Sequence, residues 1–162
     1  MNFLLDTTYF LPLIGVDIAI EGAGSFLDNM LGRFDALYYS EITFLELASK
    51  SAKYIVRNEL DPNQAVAGLN SLLYDNRMIQ VSYKEPAIIE LAWKLHRFHK
   101  DFLDCLLVAT AKRTGCIFVT EDTIIHNILS KAQIFAGLLP EEPGFTCVTS
   151  GELRASLDLE RV

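Results

Sequence analysis

The chain has 162 residues, of which 51% are hydrophobic and 22% charged, and its formal net charge is −7. This length suffices for one full-sized hydrophobic core and is too short for two, so we predict a single domain over residues 1–162. The negative charge argues against a protein that coats nucleic acid through a broad basic face. An enzyme that holds phosphates through divalent cations is compatible with it, because such a site needs a cluster of carboxylates.

The mean hydropathy of +0.24 is high and predicts apolar surface outside the core, most simply at a homodimer or partner interface. Charged residues interrupt the apolar runs well before the roughly 20 residues that a membrane-spanning helix needs. Asp6 also comes too early for the core of a signal peptide. We therefore expect a cytoplasmic protein with no membrane partner.

The three cysteines are few, widely spaced and set among apolar neighbours. An odd number of cysteines in such surroundings does not form a disulfide framework or a zinc site. We predict that Cys105, Cys116 and Cys147 are buried, reduced thiols.

Short runs of strand-forming residues alternate with segments of helical periodicity along the chain. The alternation predicts an α/β three-layer sandwich with a central, mainly parallel sheet of about four to five strands flanked by helices. The predicted strands are NFLLD (2–6), ALYYS (36–40), MIQVS (78–82), CIFVT (116–120) and FTCVT (145–149). Between them, the predicted helices are TTYFLPLIG, residues 41–59, a helix from Asp61, a helix from Pro86, residues 101–115 and EDTIIHNILSK. No element is predicted for residues 15–24, and residues 132–144 are predicted to form an ordered loop.

Four acidic residues lie where they can reach the carboxyl ends of the strands, which is the edge where parallel α/β sheets bind ligands. Asp6 ends the first strand, and Asp122 follows the fourth by two residues. Glu46 lies one to two turns into the helix after the second strand, and Asp104 lies near the start of its own helix. Four converging carboxylates repel one another, and a bound divalent cation usually neutralises this repulsion.

Each carboxylate alone has an ordinary structural explanation, and taken one at a time these explanations are at least as good as a metal site. They leave the joint pattern of four unexplained. The alternatives are that Asp6 caps a helix beginning at Thr7, that Glu46 is a solvated helix residue, that Asp122 or Glu121 caps the helix that follows, and that Asp104 is the third residue of a helix capped by Asp101.

Three stretches of the sequence resemble the PIN-domain ribonucleases, in particular the VapC-type toxins and their archaeal relatives. They are FLLDTTYFLPL, YSEITFLELA and FLDCLLVATAKRTGCIFVTED, which together span most of the chain. In that family a strand ends in Asp-Ser/Thr, an S-x-x-T-x-x-E-L segment supplies a Glu, and D-x-x-x-x-A-x-A followed by hhhT-x-D supplies two more acids. The matching positions here are Asp6, Glu46, Asp104 and Asp122. The chain departs from the family in KDFLD, which lacks a helix-starting proline, and in TIIHN after TED.

The resemblance implies a metal-dependent endoribonuclease that hydrolyses RNA phosphodiester bonds. Its VapC members imply the toxin of a type II toxin–antitoxin pair, with an antitoxin protein as partner. The implied cofactor is Mg²⁺ or Mn²⁺, which oxygen ligands suit better than they suit zinc. The implied direct ligands are Asp6, Asp104 and Asp122, while Glu46 acts through water. Thr7 and Thr120 are implied to support the carboxylates or to contact the substrate, with helix capping an equally good role for both.

Two other functions fit parts of the pattern. A PIN-like domain can serve as a binding or assembly module without catalysis, although four retained acids argue against that. A phosphoryl-acceptor domain also has a strand-end Asp followed by Thr, but this chain has Thr8 where one such fold needs a second Asp.

The remaining polar and aromatic residues are weaker candidates for a functional role. His96 and His99 are one helical turn apart, and we expect a solvated helix end there rather than a metal site. Trp93, Tyr38 and Tyr39 are predicted to lie in the core.

Overall fold

The protein is described by a computed structural model that covers residues 1–20, 23–34, 36–130 and 146–157. Its strands form one five-stranded sheet in the order β3-β2-β1-β4-β5. The pairs β1–β2, β2–β3 and β4–β5 are parallel, so the predicted α/β sandwich with a parallel sheet is confirmed. The strands are β1 (Phe3–Leu5), β2 (Leu37–Ser40), β3 (Met78–Val81), β4 (Ile117–Val119) and β5 (Cys147–Val148).

Helices separate the strands along the chain, and none in the described part is long and apolar enough to cross a membrane. The segment TTYFLPLIG forms a 3₁₀ helix (Thr7–Ile14). The α-helices are α1 (Ala23–Arg33), α2 (Glu41–Val56), α3 (Pro62–Tyr74), α4 (Pro86–Leu95), α5 (Phe102–Thr114), α6 (Thr123–Ser130) and α7 (Ser150–Ser156).

Helix α1 is the main difference from the sequence prediction, which assigned no element there. The signal was present, because Phe26, Leu27, Met30 and Leu31 recur at the spacing of one helix face, and all four side chains are buried. The loop predicted over 132–144 lies outside the described residues.

Internal contacts divide the chain into two compact units. The N-terminal unit is Leu4–Ser82 together with Asn2, and the C-terminal unit is Tyr83–Val162 together with Met1 and Phe3. The single domain expected over 1–162 stays a prediction.

In the N-terminal unit, the 3₁₀ helix forms much of the core. Tyr9 packs against Phe26 with ring centroids 5.0 Å apart, and Phe10 packs against Tyr39 at 6.0 Å. All four rings are nearly inaccessible to solvent, and each such pair contributes about 0.5–1.5 kcal/mol beyond its buried area. The prediction that Tyr39 is a core residue is confirmed, while Tyr38 is only half-buried.

In the C-terminal unit, α5 is buried almost all round, because every residue from 105 to 112 is buried. The Asp101 carboxylate caps its first turn, and Gly115, with a φ of 67°, ends it in the left-handed conformation. Helices α4 and α5 pack against each other. The prediction for Trp93 on α4 is wrong, because its side chain is 63% exposed.

Gly68 in α3 provides a test of the packing between α3 and the 3₁₀ helix. A Cβ atom at Gly68 would lie 2.1 Å from the backbone oxygen of Leu13. We expect Gly68→Ala to lower the free energy of unfolding by about 1–3 kcal/mol, because the backbone at Leu13 must move to make room for the added carbon. Urea denaturation measures this change. Gly32→Ala in α1 is the matched control, because nothing lies within 4 Å of the added carbon. That change should stabilise the protein by up to about 1 kcal/mol, and equal effects at the two sites would contradict the packing described here.

Candidate metal centre

Asp6 connects β1 to the 3₁₀ helix in the N-terminal unit. Its Oδ1 atom accepts hydrogen bonds from the backbone nitrogen of Thr8 at 3.2 Å and from the Thr8 hydroxyl at 3.4 Å. The residue is 8% exposed. Asp6 is therefore the N-cap that the sequence allowed, and the cap holds its carboxylate directly beyond the end of β1.

Glu46 is held by the residue that follows Asp6. The hydroxyl of Thr7, which is buried, donates a hydrogen bond to Oε2 of Glu46. The hydroxyl of Thr43 lies 3.4 Å from that of Thr7. Glu46 is partly buried, so the alternative of a solvated helix residue is wrong. Thr7 supports an acidic side chain, while the helix cap is Asp6.

Asp104 lies in the first turn of α5 in the C-terminal unit. The helix starts because the carboxylate of Asp101 accepts a hydrogen bond from the backbone nitrogen of Leu103 at 2.9 Å. The side chain of Asp104 is 24% exposed. A carboxylate in the first turn is stabilised by the helix dipole, and the buried residues that follow it hold the turn in place.

Asp122 lies between β4 and α6, and its two oxygens have different surroundings. Oδ1 accepts hydrogen bonds from the backbone nitrogens of Ile124 at 2.6 Å and Ile125 at 3.2 Å, which starts α6. Oδ2 is turned toward His99. The buried hydroxyl of Thr120 accepts a hydrogen bond from the backbone nitrogen of Asp122 at 3.1 Å, so Thr120 fixes this turn.

Glu121, the other residue that could have capped α6, has a different contact. Its Oε1 atom accepts hydrogen bonds from the backbone nitrogen of Ser150 at 2.9 Å and from the Ser150 hydroxyl at 2.6 Å. Glu121 thus holds the start of α7, and Asp122 is the acid that caps α6.

His99 brings Asp104 and Asp122 together. Its Nε2 atom lies 3.7 Å from Oδ2 of Asp104 and 3.6 Å from Oδ2 of Asp122, and these three side chains can supply one ligand atom each to a common ion. The expectation of a solvated helix end is wrong for His99, which is 8% exposed, although His96 is exposed as expected. Helix α4 ends at Leu95, so the two histidines do not share a helix face.

The cysteines are thiols, and none of the three, all of which lie in the described part of the chain, forms a disulfide. Cys105 and Cys116 are buried as predicted, while Cys147 is half-exposed. Burial raises the pKa of the Cys105 thiol to about 12, and the nearby carboxylates of Asp104 and Asp101 add to the effect. Burial also raises the pKa of Cys116.

The model of the PIN domain family matches residues 3–129. Because the match covers well over half of the chain, the chain belongs to the PIN domain family, whose members are nucleases. A comparison with curated protein sequences finds no significant match.

Solved structures of low sequence identity share the fold. PAE2754 from Pyrobaculum aerophilum has a TM-score of 0.60 and 16% identity, over 99% of this chain and 91% of that chain. VapBC2 from Rickettsia felis, bound to a DNA fragment from its promoter, has a TM-score of 0.56 and 14% identity over 92% and 98%. The toxin VapC20 from Mycobacterium tuberculosis, which cleaves the sarcin-ricin loop, has a TM-score of 0.55 and 13% identity over 78% and 95%. The family resemblance noted in the sequence is confirmed, and the roles of the four acids stay a prediction.

The thiol environments predict an order of chemical modification. At pH 8 a thiol must ionise to react with iodoacetamide, and Cys105 and Cys116 are both buried and held protonated by their raised pKa values. We expect the half-exposed Cys147 to be alkylated first in the native protein, with the other two reacting only in denaturant, as measured by peptide mass spectrometry. Equal labelling of all three before unfolding would contradict this arrangement.

Proposed function

We propose that the protein is a metal-dependent endoribonuclease that hydrolyses RNA phosphodiester bonds. The observation that carries this proposal is the pair of carboxylates in the C-terminal unit of a PIN domain. Oδ2 of Asp104 and Oδ2 of Asp122 both lie within 3.7 Å of one buried nitrogen. Two partly exposed carboxylates held this close repel each other, and a cation removes the repulsion.

Asp6 and Glu46 complete the proposed catalytic set of four. Asp6 directly follows β1, and Asp122 comes three residues after the end of β4. Binding sites of parallel α/β sheets lie beyond the carboxyl ends of the strands. Glu46 matches the Glu of the S-x-x-T-x-x-E-L segment in the family resemblance, and the Thr7 hydroxyl donates a hydrogen bond to its side chain. We propose Asp6, Asp104 and Asp122 as metal ligands, with Glu46 acting through water.

The donor set fits Mg²⁺ or Mn²⁺, since carboxylate oxygens are the ligands these ions prefer. When bound, such an ion lowers the pKa of a water molecule and neutralises charge on the reacting phosphate. The protein's own contribution is to fix the carboxylates. Asp122 uses Oδ1 to cap α6, which leaves Oδ2 facing His99. The Thr120 hydroxyl holds the backbone of Asp122, and the Thr7 hydroxyl holds the side chain of Glu46.

A protein partner is the second part of the proposal. Several large apolar side chains of the N-terminal unit are exposed, with Val56 and Tyr74 at 83% and 81%. Exposed apolar surface of this kind favours a protein interface. Since VapBC2 is among the proteins of similar fold, we propose a VapC-like toxin that binds a small antitoxin and also pairs with a second copy of itself.

Asp104→Asn tests the nuclease proposal. Asparagine keeps the shape of the side chain but removes the charge, so the fold should persist while metal-dependent cleavage of a structured RNA falls. We expect a loss of more than about a hundredfold, since even residues that only support metal ligands cost about 10- to 100-fold when changed. The measurement is RNA cleavage in Mg²⁺ or Mn²⁺, with circular dichroism to verify folding.

Asp61→Asn is the matched control for that experiment. Asp61 is exposed and caps α3 through the backbone nitrogen of Asn63, and asparagine caps a helix as well as aspartate does. This variant should cleave RNA like the unchanged protein. Equal cleavage by Asp104→Asn, or no cleavage by the unchanged protein in either metal, would refute the nuclease proposal. No binding of Mn²⁺ at millimolar concentration would favour a binding or assembly module instead.

The proposed pairing of two copies is tested by the mass of the purified protein in solution. We expect light scattering after size-exclusion chromatography to give the mass of a dimer at micromolar concentration, because dimerisation covers exposed apolar side chains. Val56→Ser and Tyr74→Ser, each made separately, remove the two most exposed of these without touching the acids. A monomeric mass for the unchanged protein would rule out the homodimer.

A further inference from the structure

We propose that His99 is a metal ligand, through Nε2, alongside Asp104 and Asp122. We propose further that this nitrogen makes the site select Mn²⁺, or another divalent first-row transition metal, over Mg²⁺. This inference rests on the proposed metal site, since it assumes that the two carboxylates bind an ion, but it concerns a residue outside the acidic set.

The first support is that Nε2 of His99 is buried and has no hydrogen-bond partner in the described part of the chain. The side chain is 9% exposed, and buried polar atoms almost always have a partner. The atom is not turned toward apolar neighbours but toward two carboxylate oxygens. A buried nitrogen that has no hydrogen-bond partner and faces two carboxylate oxygens has the surroundings of a metal ligand.

The distances distinguish a shared ion from direct contact. A charge-assisted hydrogen bond between an imidazolium and a carboxylate is about 2.7–2.9 Å long, whereas Nε2 lies 3.7 and 3.6 Å from the two oxygens. Ligand atoms that bind one ion at about 2.1 Å each lie roughly 3–4.2 Å apart, depending on the angle at the ion. The separations of His99 from Asp104 and Asp122 therefore favour ligands of one ion over a protonated histidine held between two acids.

The other ring nitrogen has the contact that a metal-binding histidine needs. Nδ1 of His99 lies 3.2 Å from the backbone oxygen of Asp101, to which it donates in one tautomer, and 3.1 Å from the backbone nitrogen of Asp101, which donates to it in the other. When Nδ1 carries the proton, it donates to the carbonyl, which leaves the Nε2 lone pair facing the carboxylates. Histidines that bind metals usually donate their other N–H to a carbonyl or carboxylate in this way. Because both backbone atoms are within reach, the ring can take this tautomer without moving.

The backbone of His99 is held on both sides, which sets the direction of the ring. Its nitrogen donates to the backbone oxygen of Leu95 at 3.1 Å. Its carbonyl oxygen lies 2.9 Å from Nδ1 of His96 and accepts from the Cys105 thiol at 3.7 Å. A ligand held in advance by such contacts loses little freedom on binding.

The ring and Asp104 line a common cavity, and its other walls are mostly aliphatic. These walls are Leu95, Val108, Ile125 and Ile128, together with Cys105. Aliphatic side chains offer an ion no further ligands, so the charge of a cation there is balanced by the carboxylates.

An imidazole ligand changes which ion the site prefers. Mg²⁺ is a hard cation that takes oxygen ligands and keeps its water molecules, while imidazole nitrogen suits transition metals. Three carboxylates alone would not separate Mn²⁺ from Mg²⁺ strongly. With His99 as a ligand, the preference should move toward Mn²⁺.

The test is spectroscopic and does not depend on cleavage. Mn²⁺ is added to the full-length unchanged protein, to His99→Gln and to His96→Gln, and electron spin echo modulation detects imidazole nitrogen bound to the ion. His96→Gln is the matched control, because it removes a histidine three residues away and glutamine can still donate to the carbonyl of His99. We expect nitrogen coupling in the unchanged protein and the control, and its loss in His99→Gln.

Calorimetric titration of the same proteins measures the selectivity. Mn²⁺ affinity should fall at least about tenfold in His99→Gln, while Mg²⁺ affinity should change by less than about threefold because Mg²⁺ gains little from nitrogen. Mn²⁺ binding to the unchanged protein without nitrogen coupling would overturn this inference and leave the proposed nuclease intact. Failure of the protein to bind Mn²⁺ at all would overturn both, and the result on the unchanged protein holds even where His99→Gln does not fold.

Discussion

The first turn of α5 depends on Asp101, and so does most of what is distinctive in the candidate metal centre. The side chain of Asp101 starts the helix by accepting a hydrogen bond from the backbone nitrogen of Leu103. Its backbone nitrogen and oxygen both lie within hydrogen-bonding distance of Nδ1 of His99. One residue therefore positions the helix turn that carries Asp104 and the ring that faces it. Asp101 does not itself face the proposed ion, yet the positions of the two proposed ligands Asp104 and His99 depend on its contacts.

Helix starts serve two purposes in this protein. Asp6 and Asp122 each cap a helix with one carboxylate oxygen, and Asp104 lies in the first turn of another helix. The positive end of the helix dipole stabilises a carboxylate at such a position. The structural and the chemical explanation of these residues are therefore compatible, because a cap occupies only one of the two oxygens.

The run FLDCLLVATA owes its unusual composition to the same arrangement. Helix α5 is buried around its whole circumference from residue 105 to residue 112, so its position in the C-terminal unit is tightly constrained. A carboxylate placed one residue before this buried segment cannot move far from its neighbours. The apolar residues thus hold Asp104 in place, which a solvated helix would not do.

Much of the fold could be predicted from the sequence. Alternating periodicity and the helix starts at Asp61 and Pro86 predicted the sheet and most helices, because these signals are local along the chain. Helix α1 was missed although the spacing of its apolar residues was visible. The four acids are candidates from the sequence because they lie near the predicted strand ends and because each belongs to a short family motif that can be recognised without knowing the fold.

What only the tertiary structure decided is which side chains meet. By sequence, His99 was a polar residue beside Arg97 and Lys100, and nothing local showed that the ring turns inward while those two neighbours are exposed. Its burial follows from the turn between α4 and α5, which pack against each other, and from backbone contacts with Leu95 and Asp101. Trp93 was misjudged for the converse reason, because a large apolar side chain predicts burial only when its helix face meets the core. Composition and spacing determined the strands, the helix starts and the candidate acids, while the packing of distant segments determined their surroundings.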